Sequence, residues 1–207
     1  MRNHFIFIPI AILSGLLPAA SPAAGDAGAG AQKAQICAAC HGVDGNSSNP
    51  VWPKLAAQHE EYLMKQLQDF KNGKRENPQM SPMAANLTEQ DMKDLAAYFS
   101  TQKIKSGAAD PALLVPGQKL FRAGNIDTGV PACMACHGPA GRGNPAAVYP
   151  AVGGQHAAYT EAQLTAFHGK VRANDPNEVM RSIAGRMTEE EIKAVSGYMQ
   201  GLHPASE

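Results

Sequence analysis

Cys37-Ala-Ala-Cys40-His41-Gly42 returns 96 positions later as Cys133-Met-Ala-Cys136-His137-Gly138. The repetition extends well beyond this hexapeptide. Pro53, Gln58, His59, Tyr62, Gln66, Leu67 and Phe70 recur at an offset of 97, as Pro150, Gln155, His156, Tyr159, Gln163, Leu164 and Phe167. Met80, Thr88, Glu89 and Tyr98 recur at an offset of 100, as Met180, Thr188, Glu189 and Tyr198. An offset that creeps by a few residues means short loop insertions in a shared framework, so the chain is read as two homologous domains in tandem.

Each half reads as helices joined by loops, and the expected fold class is all-α. Thr88-Glu-Gln-Asp91 and Thr188-Glu-Glu-Glu191 are helix starts, each a Thr cap with acids in the first turn. Met92, Leu95, Ala96 and Phe99 then follow at i, i+3, i+4 and i+7, one apolar stripe that Ile192, Val195 and Met199 reproduce. An earlier helix carries Leu63, Leu67 and Phe70, matched by Leu164 and Phe167. No alternating strand pattern stands out. The joint lies in the polar, Gly- and Pro-containing stretch from Lys103 to Ala112, giving expected domains over 24–104 and 105–207.

Residues 1–23 read as an export signal: Arg2 near the start, an apolar run from Phe5 to Leu17, and the small-x-small site Ser21-Pro22-Ala23. Cleavage near Ala23/Ala24 leaves about 184 residues, and the apolar run, interrupted by Pro9 and Gly15, is too short for a spanning helix. The expected location is the periplasm. Charge is balanced, with Lys+Arg 18 against Asp+Glu 18. Asp26 to Lys105 carries 9 acids and 9 bases, and the rest of the chain to Glu207 carries 9 acids and 8 bases. No basic excess exists, so a nucleic-acid partner is excluded on charge. Aromatic residues make up only 6%, thin for two cores.

An exported protein would ordinarily pair its thiols. Here all four cysteines sit in the repeated motif. In C-x-x-C-H the two thiols add to the vinyl groups of a haem and the adjacent His ligates the iron. A thioredoxin-type pair needs neither the His nor the repetition, and a zinc site would lack its fourth ligand. A duplicated structural disulfide is the remaining competitor. The expectation is two covalently bound haem c groups, attached through Cys37 and Cys40 and through Cys133 and Cys136, with His41 and His137 as axial iron ligands. A macrocycle buried in each half also accounts for the thin aromatic content.

The second axial position decides between an electron carrier and an open catalytic site. Met80 stands seven residues before Leu87, and Met180 seven before Met187, each upstream of the Thr-capped last helix. Met83 aligns with Ile183 and is not shared; Met187 aligns with Leu87, which points to packing. Met80 and Met180 are therefore the expected second ligands. His59 and His156 recur as well and compete for that place, against a cap or surface role at the start of a helix. Pro53 and Pro150 are expected to offer their carbonyls to the far nitrogens of His41 and His137, fixing the ring orientation. Trp52 and Tyr149, one residue earlier, are placed to pack on the haem edge, reach a propionate or fill the core.

With these residues in hand, the chain resembles the dihaem cytochrome c4 family of bacterial periplasms, tandem class I cytochrome c domains. The resemblance is carried by Cys-Ala-Ala-Cys-His-Gly-Val-Asp-Gly-Asn46, Tyr62-Leu-Met-Lys-Gln-Leu-Gln-Asp69, Ala109-Asp-Pro-Ala112, Gly153-Gly-Gln-His-Ala-Ala-Tyr159 and the ending Gln200-Gly-Leu-His203. It implies three or four helices per domain, haems facing each other near a pseudo-twofold interface, and His/Met ligation at both. It further implies electron transfer from a cytochrome bc complex towards a terminal oxidase, often of the cbb type, by a soluble or membrane-peripheral carrier that is not an enzyme. Two other functions compete: the dihaem electron-transfer subunit of a larger dehydrogenase, such as a flavoprotein that oxidises sulfide, and a dihaem enzyme with an open iron site. The Gly138-Pro-Ala-Gly-Arg-Gly143 loop is no nucleotide fingerprint, since no strand precedes it.

Overall fold

A computed structural model describes residues 24–203 together with Met1. Apart from Met1, the export segment expected over residues 1–23 lies outside the described residues. The first half contains α1 (Ala27–Lys33), α2 (Gln35–His41), α3 (Glu60–Lys71), α4 (Met80–Ala85) and α5 (Glu89–Ser100). The second repeats the order with α6 (Pro111–Ala123), α7 (Met134–His137), α8 (Ala157–His168), α9 (Val179–Ala184) and α10 (Glu189–Gly201). No strand occurs among the described residues, only two isolated bridges. The fold is all-α.

The helix starts are built as the sequence suggests. Thr88 and Thr188 each form a full capping box with the residue three positions on, Asp91 and Glu191. α1 and α6 are capped by Asp26 and Asp110, whose side chains accept from backbone N–H groups of the first turn.

Within each half the first helix crosses the last: α1 packs on α5 and α6 on α10. A glycine sits at both crossings. A Cβ on Gly30 would lie 2.0 Å from the Asp94 carbonyl oxygen, and one on Gly117 would lie 2.3 Å from that of Ala194. Only glycine lets the backbones approach this closely. α3 and α8 then pack against the last helices, and α4 and α9 pack against α3 and α8.

Two separate cores result. Ala34, Leu63, Leu95, Ala96 and Phe99 form the first; Leu120, Phe121, Val130, Leu164, Met187, Ile192, Val195, Tyr198 and Met199 form the second. The segment between α5 and α6 is fastened to both halves. Lys105 donates its N–H to Asn46 Oδ1 (2.8 Å), and Gly107 donates to the Gln200 carbonyl (3.1 Å).

Candidate haem and interface site

In α2, Cys37, Cys40 and His41 stand at i, i+3 and i+4, so both thiols and the imidazole lie on neighbouring faces of one helical turn. Cys133, Cys136 and His137 repeat this, with Cys133 as the N-cap of α7. The helix stops at once in both halves: Gly42 and Gly138 adopt φ of 80° and 76°, a left-handed conformation that suits glycine.

His41 is only 5% exposed. Its Nδ1–H donates to the Pro53 carbonyl at 2.8 Å, and His137 Nδ1–H donates to the Pro150 carbonyl at 2.9 Å. Burial lowers both imidazole pKa values, against the upward pull of the carbonyl bonds. Each half thus presents a buried, neutral imidazole with one nitrogen committed and Nε2 left for a metal.

All four thiols are free. Cys37 packs beside the first core and Cys133 beside the second. Burial raises the Cys37 thiol pKa and pushes Cys133 up to about 11. Two unpaired thiols and a neutral imidazole on one turn, repeated in each half, are the donor set that covalent haem attachment requires.

The candidate second ligands are placed less evenly. Met80 begins α4, half-buried, its N–H donating to Asn77 Oδ1 at 2.9 Å. Met180 lies in the first turn of α9, half-buried against the second core together with Cys133, Val152 and Leu202. The methionine packed on the first core is Met64. Met187 is buried in the second core, a packing residue as its alignment with Leu87 suggests, and Met83 is largely exposed.

His59 and His156 recur for a different reason: each crosses to the other half. His59 Nε2 lies 2.7 Å from the Arg142 carbonyl oxygen, and His156 Nε2 lies 2.8 Å from that of Ser47. They cap the starts of α3 and α8 with their backbones while their rings join the two halves.

The same is true of most residues at the offset of 97. Gln58 clamps the backbone of Ala151 with two 2.9 Å hydrogen bonds, and Gln155 clamps Lys54 in the same way. Arg75 donates to Gln66 in its own half (2.7 Å) and to Tyr159 (3.0 Å) and Gln163 (2.7 Å) in the other. Arg172 mirrors it, donating to Gln163 (2.9 Å), Tyr62 (3.1 Å) and Gln66 (3.1 Å). Each guanidinium also stacks on an aromatic ring of its own half, Arg75 on Phe70 at 4.6 Å and Arg172 on Phe167 at 4.4 Å. Burial pushes the Tyr62 phenol up, and the charges of Arg172 and Arg75 more than reverse it. The halves therefore meet through a pseudo-twofold polar interface built from α3, α8 and the loops that carry Pro53 and Pro150. Tyr149 leans towards the His137 ring, their centroids 6.3 Å apart, while the Trp52 carbonyl accepts from Ser47 at 2.6 Å.

Comparison with known proteins agrees with this geometry. The cytochrome c family profile matches twice, over residues 26–103 and 114–203. Cytochrome c4 of Thiocapsa roseopersicina is 55% identical over 186 residues, covering 89% of this chain and 96% of the relative. A thiosulfate dehydrogenase electron acceptor of Stutzerimonas stutzeri is 39% identical over 173 residues, covering 82% of this chain and 80% of the relative. The crystal structure of reduced recombinant cytochrome c4 from Pseudomonas stutzeri superposes with a TM-score of 0.85 at 52% identity, covering 87% of this chain and 100% of that one.

Proposed function

Because this chain belongs to the cytochrome c family, with cytochromes c4 as relatives over most of its length, we propose that it passes single electrons from a cytochrome bc complex towards a terminal oxidase, of the cbb type or another. It is a dihaem electron-transfer cytochrome, with a covalent haem c in each half attached at Cys37 and Cys40 and at Cys133 and Cys136. The haems supply reversible one-electron chemistry, and the chain's residues hold and seal them.

In this reading His41 and Met80 ligate one iron and His137 and Met180 the other. Thioether ligands from these methionines would favour the reduced metal and leave no place for exogenous ligands. The observation that carries the reading is the matched pair of buried imidazoles, each oriented through Nδ1 by a proline carbonyl. The relatives' identity supports a carrier without catalytic residues. No helix among the described residues is long and apolar enough to cross a membrane. The export segment and the c4 relatives support a periplasmic carrier, soluble or peripheral to the membrane.

The likeness to thiosulfate dehydrogenase electron acceptors favours a second reading, in which a sulfur-compound dehydrogenase is the electron donor. Spectra of the exported holoprotein, oxidised and reduced, with and without carbon monoxide, test the first part. Two haems per chain and no carbon monoxide shift are expected; a shift at either haem overturns the sealed-carrier reading. Reduction by membranes with an active cytochrome bc complex, compared with reduction by a thiosulfate dehydrogenase and thiosulfate, decides between the donors.

A further inference from the structure

The turn that closes α3 holds the one Asn-Gly pair in the sequence, Asn72-Gly73. Both residues are exposed, and neither the Asn72 side-chain amide nor the Gly73 N–H makes a hydrogen bond among the described residues. Gly73 stands at φ 71°, and a Cβ placed on it would meet nothing within 4 Å. The Asn72 N–H donates to the Gln68 carbonyl at 2.9 Å. That bond lies on the amino side of the Asn72 Cα and leaves rotation about its Cα–C bond free. With no Cβ, the glycine does not obstruct approach to its own nitrogen.

The comparable pairs are held or crowded. Asp44, before Gly45, pairs with Lys105 at 2.6 Å, and the Gly45 N–H donates to the Gly42 carbonyl at 3.1 Å. Asn46, before Ser47, donates through Nδ2 to the Lys103 carbonyl at 3.0 Å and accepts from the Lys105 N–H at 2.8 Å. Asn86 and Asn177 precede Leu87 and Glu178, whose side chains crowd the following nitrogen. The second half makes the matching turn from Gly169-Lys170, with Lys170 at φ 58°, and has no side-chain amide there.

This turn also sets Arg75. The Arg75 N–H donates to the Asp69 carbonyl at 3.0 Å, closing a loop around Asn72 and Gly73, while its guanidinium reaches Tyr159 and Gln163 in the other half. The matched bond of the second half runs from the Arg172 N–H to the Ala166 carbonyl, also at 3.0 Å.

We propose that Asn72-Gly73 is a site of spontaneous deamidation, and that its isoaspartate product loosens the Arg75 arm of the interface while leaving the Arg172 arm intact. The Gly73 nitrogen gives its proton to hydroxide and attacks Asn72 Cγ. The new Cγ–N bond closes a succinimide ring as the Cγ–Nδ2 bond breaks, and Nδ2 leaves as ammonia with a proton from water. Water then opens the ring. Addition at Cγ gives aspartate; addition at the Asn72 main-chain carbonyl breaks its bond to the Gly73 nitrogen and routes the chain through Cγ as isoaspartate. No electrons are exchanged. Both products place a carboxylate between Lys71 and Lys74. Isoaspartate also adds one methylene to the main chain inside the loop that the Arg75–Asp69 bond closes.

Incubation of the holoprotein at mildly alkaline pH, followed by peptide mass mapping and labelling with an isoaspartyl methyltransferase, tests the site. The peptide holding residues 72 and 73 should gain one mass unit and a methyl-accepting isoaspartate several-fold faster than any other asparagine peptide. Asn72→Gln should abolish both signals. The isoaspartate form, purified chromatographically, then goes to hydrogen exchange. Its Arg75 amide should exchange several-fold faster than in the parent, with the Arg172 amide unchanged. Freshly prepared Asn72→Asp, which has the charge without the lengthened chain, should resemble the parent. A faster reaction at another asparagine, no isoaspartate at position 72, an unmoved Arg75 amide, or equal loosening in Asn72→Asp overturns the proposal.

Discussion

Gln155 holds Lys54 by both of its backbone polar groups: the Lys54 N–H donates to Gln155 Oε1 and Gln155 Nε2 donates to the Lys54 carbonyl, each at 2.9 Å. A side-chain amide here does what a neighbouring strand does in a sheet, and Gln58 does the same for Ala151. Gln155→Ala leaves a buried N–H and a buried carbonyl without partners, at a cost of about 2 kcal/mol. Gln58→Ala should cost a similar amount, and the pair should cost more than either alone. Thermal unfolding of the holoprotein measures this. A loss under about 0.5 kcal/mol for Gln155→Ala would mean that water replaces the clamp and the interface is loose.

The two methionines give separate, haem-specific expectations. Met80→Ala should open the first-half iron and Met180→Ala the second, so that each variant binds carbon monoxide at one haem per chain. The methionine-to-iron charge-transfer band near the red end of the oxidised spectrum should fall by about half in each. Met64→Leu, which alters the methionine packed on the first core, should change neither readout. If Met64→Leu opens a site and Met80→Ala does not, the first-half ligand is misassigned.

Acid should weaken the first half through one cluster. Asp94, buried at its carboxylate, accepts from the Asp26 N–H (2.9 Å), Lys33 (2.5 Å) and Gln90 (2.8 Å), and Lys33 also pairs with Asp91 at 2.8 Å. The Asp26 N–H bond, with Lys33 and Gln90, pulls the Asp94 pKa down to about 2; Lys33 and Thr88 pull Asp91 down to about 2. Both folded values lie below the ordinary 3.8, so the stability they contribute is present above that value and drains as the pH falls towards 2. Melting temperature measured from pH 5 to pH 2 should fall most steeply below about pH 4, and Asp94→Asn should lower it at pH 7 and flatten that slope. An unchanged slope in Asp94→Asn would place the acid sensitivity elsewhere.

Most of the fold is legible because its determinants are local. The Cys-x-x-Cys-His turn, the Thr caps and the apolar stripe from Met92 to Phe99 each act within one or two helical turns. The interface is legible only as recurrence. Gln58, His59, Tyr62 and Gln66 repeat at one offset, but repetition in a tandem chain says that two residues share a role, not whether that role lies inside a half or between halves. Arg75 and Arg172 share the offset of 97 and could have been found with the others. Gly30 and Gly117 could not, since they stand 87 residues apart, outside the common frame, and a helical glycine shows its purpose only when the crossing helix is in view.

That crossing carries its own expectation. Gly30→Ala and Gly117→Ala would each press a methyl group into a backbone carbonyl of the last helix, at 2.0 and 2.3 Å, and neither carbonyl can rotate away without breaking helical hydrogen bonds. Each substitution should destabilise its own half by about 3 kcal/mol despite alanine's better helix propensity. Gly169→Ala, at a position of φ −77° where an added methyl group meets no atom nearer than 3.5 Å, is the control. Hydrogen exchange of α5 and α10 amides should show which half loosens in each variant.

Ser196 offers a test in the opposite direction. It lies on α10, fully buried, and its hydroxyl is the one buried side-chain polar group without a hydrogen-bond partner among the described residues. The corresponding residue of α5 is Ala96, equally buried. An unpaired buried hydroxyl costs stability that a methyl group does not, so Ser196→Ala should stabilise the second half by about 1 kcal/mol. Ala96→Ser should destabilise the first half by about 1–3 kcal/mol, because it places the same hydroxyl at a fully buried position. Unfolding of both variants, followed by hydrogen exchange at Val195 and Leu95, measures the two effects in one chain. If Ser196→Ala instead lowers stability, the hydroxyl has a partner in the holoprotein, and the asymmetry between Ala96 and Ser196 marks a contact made by the second half alone.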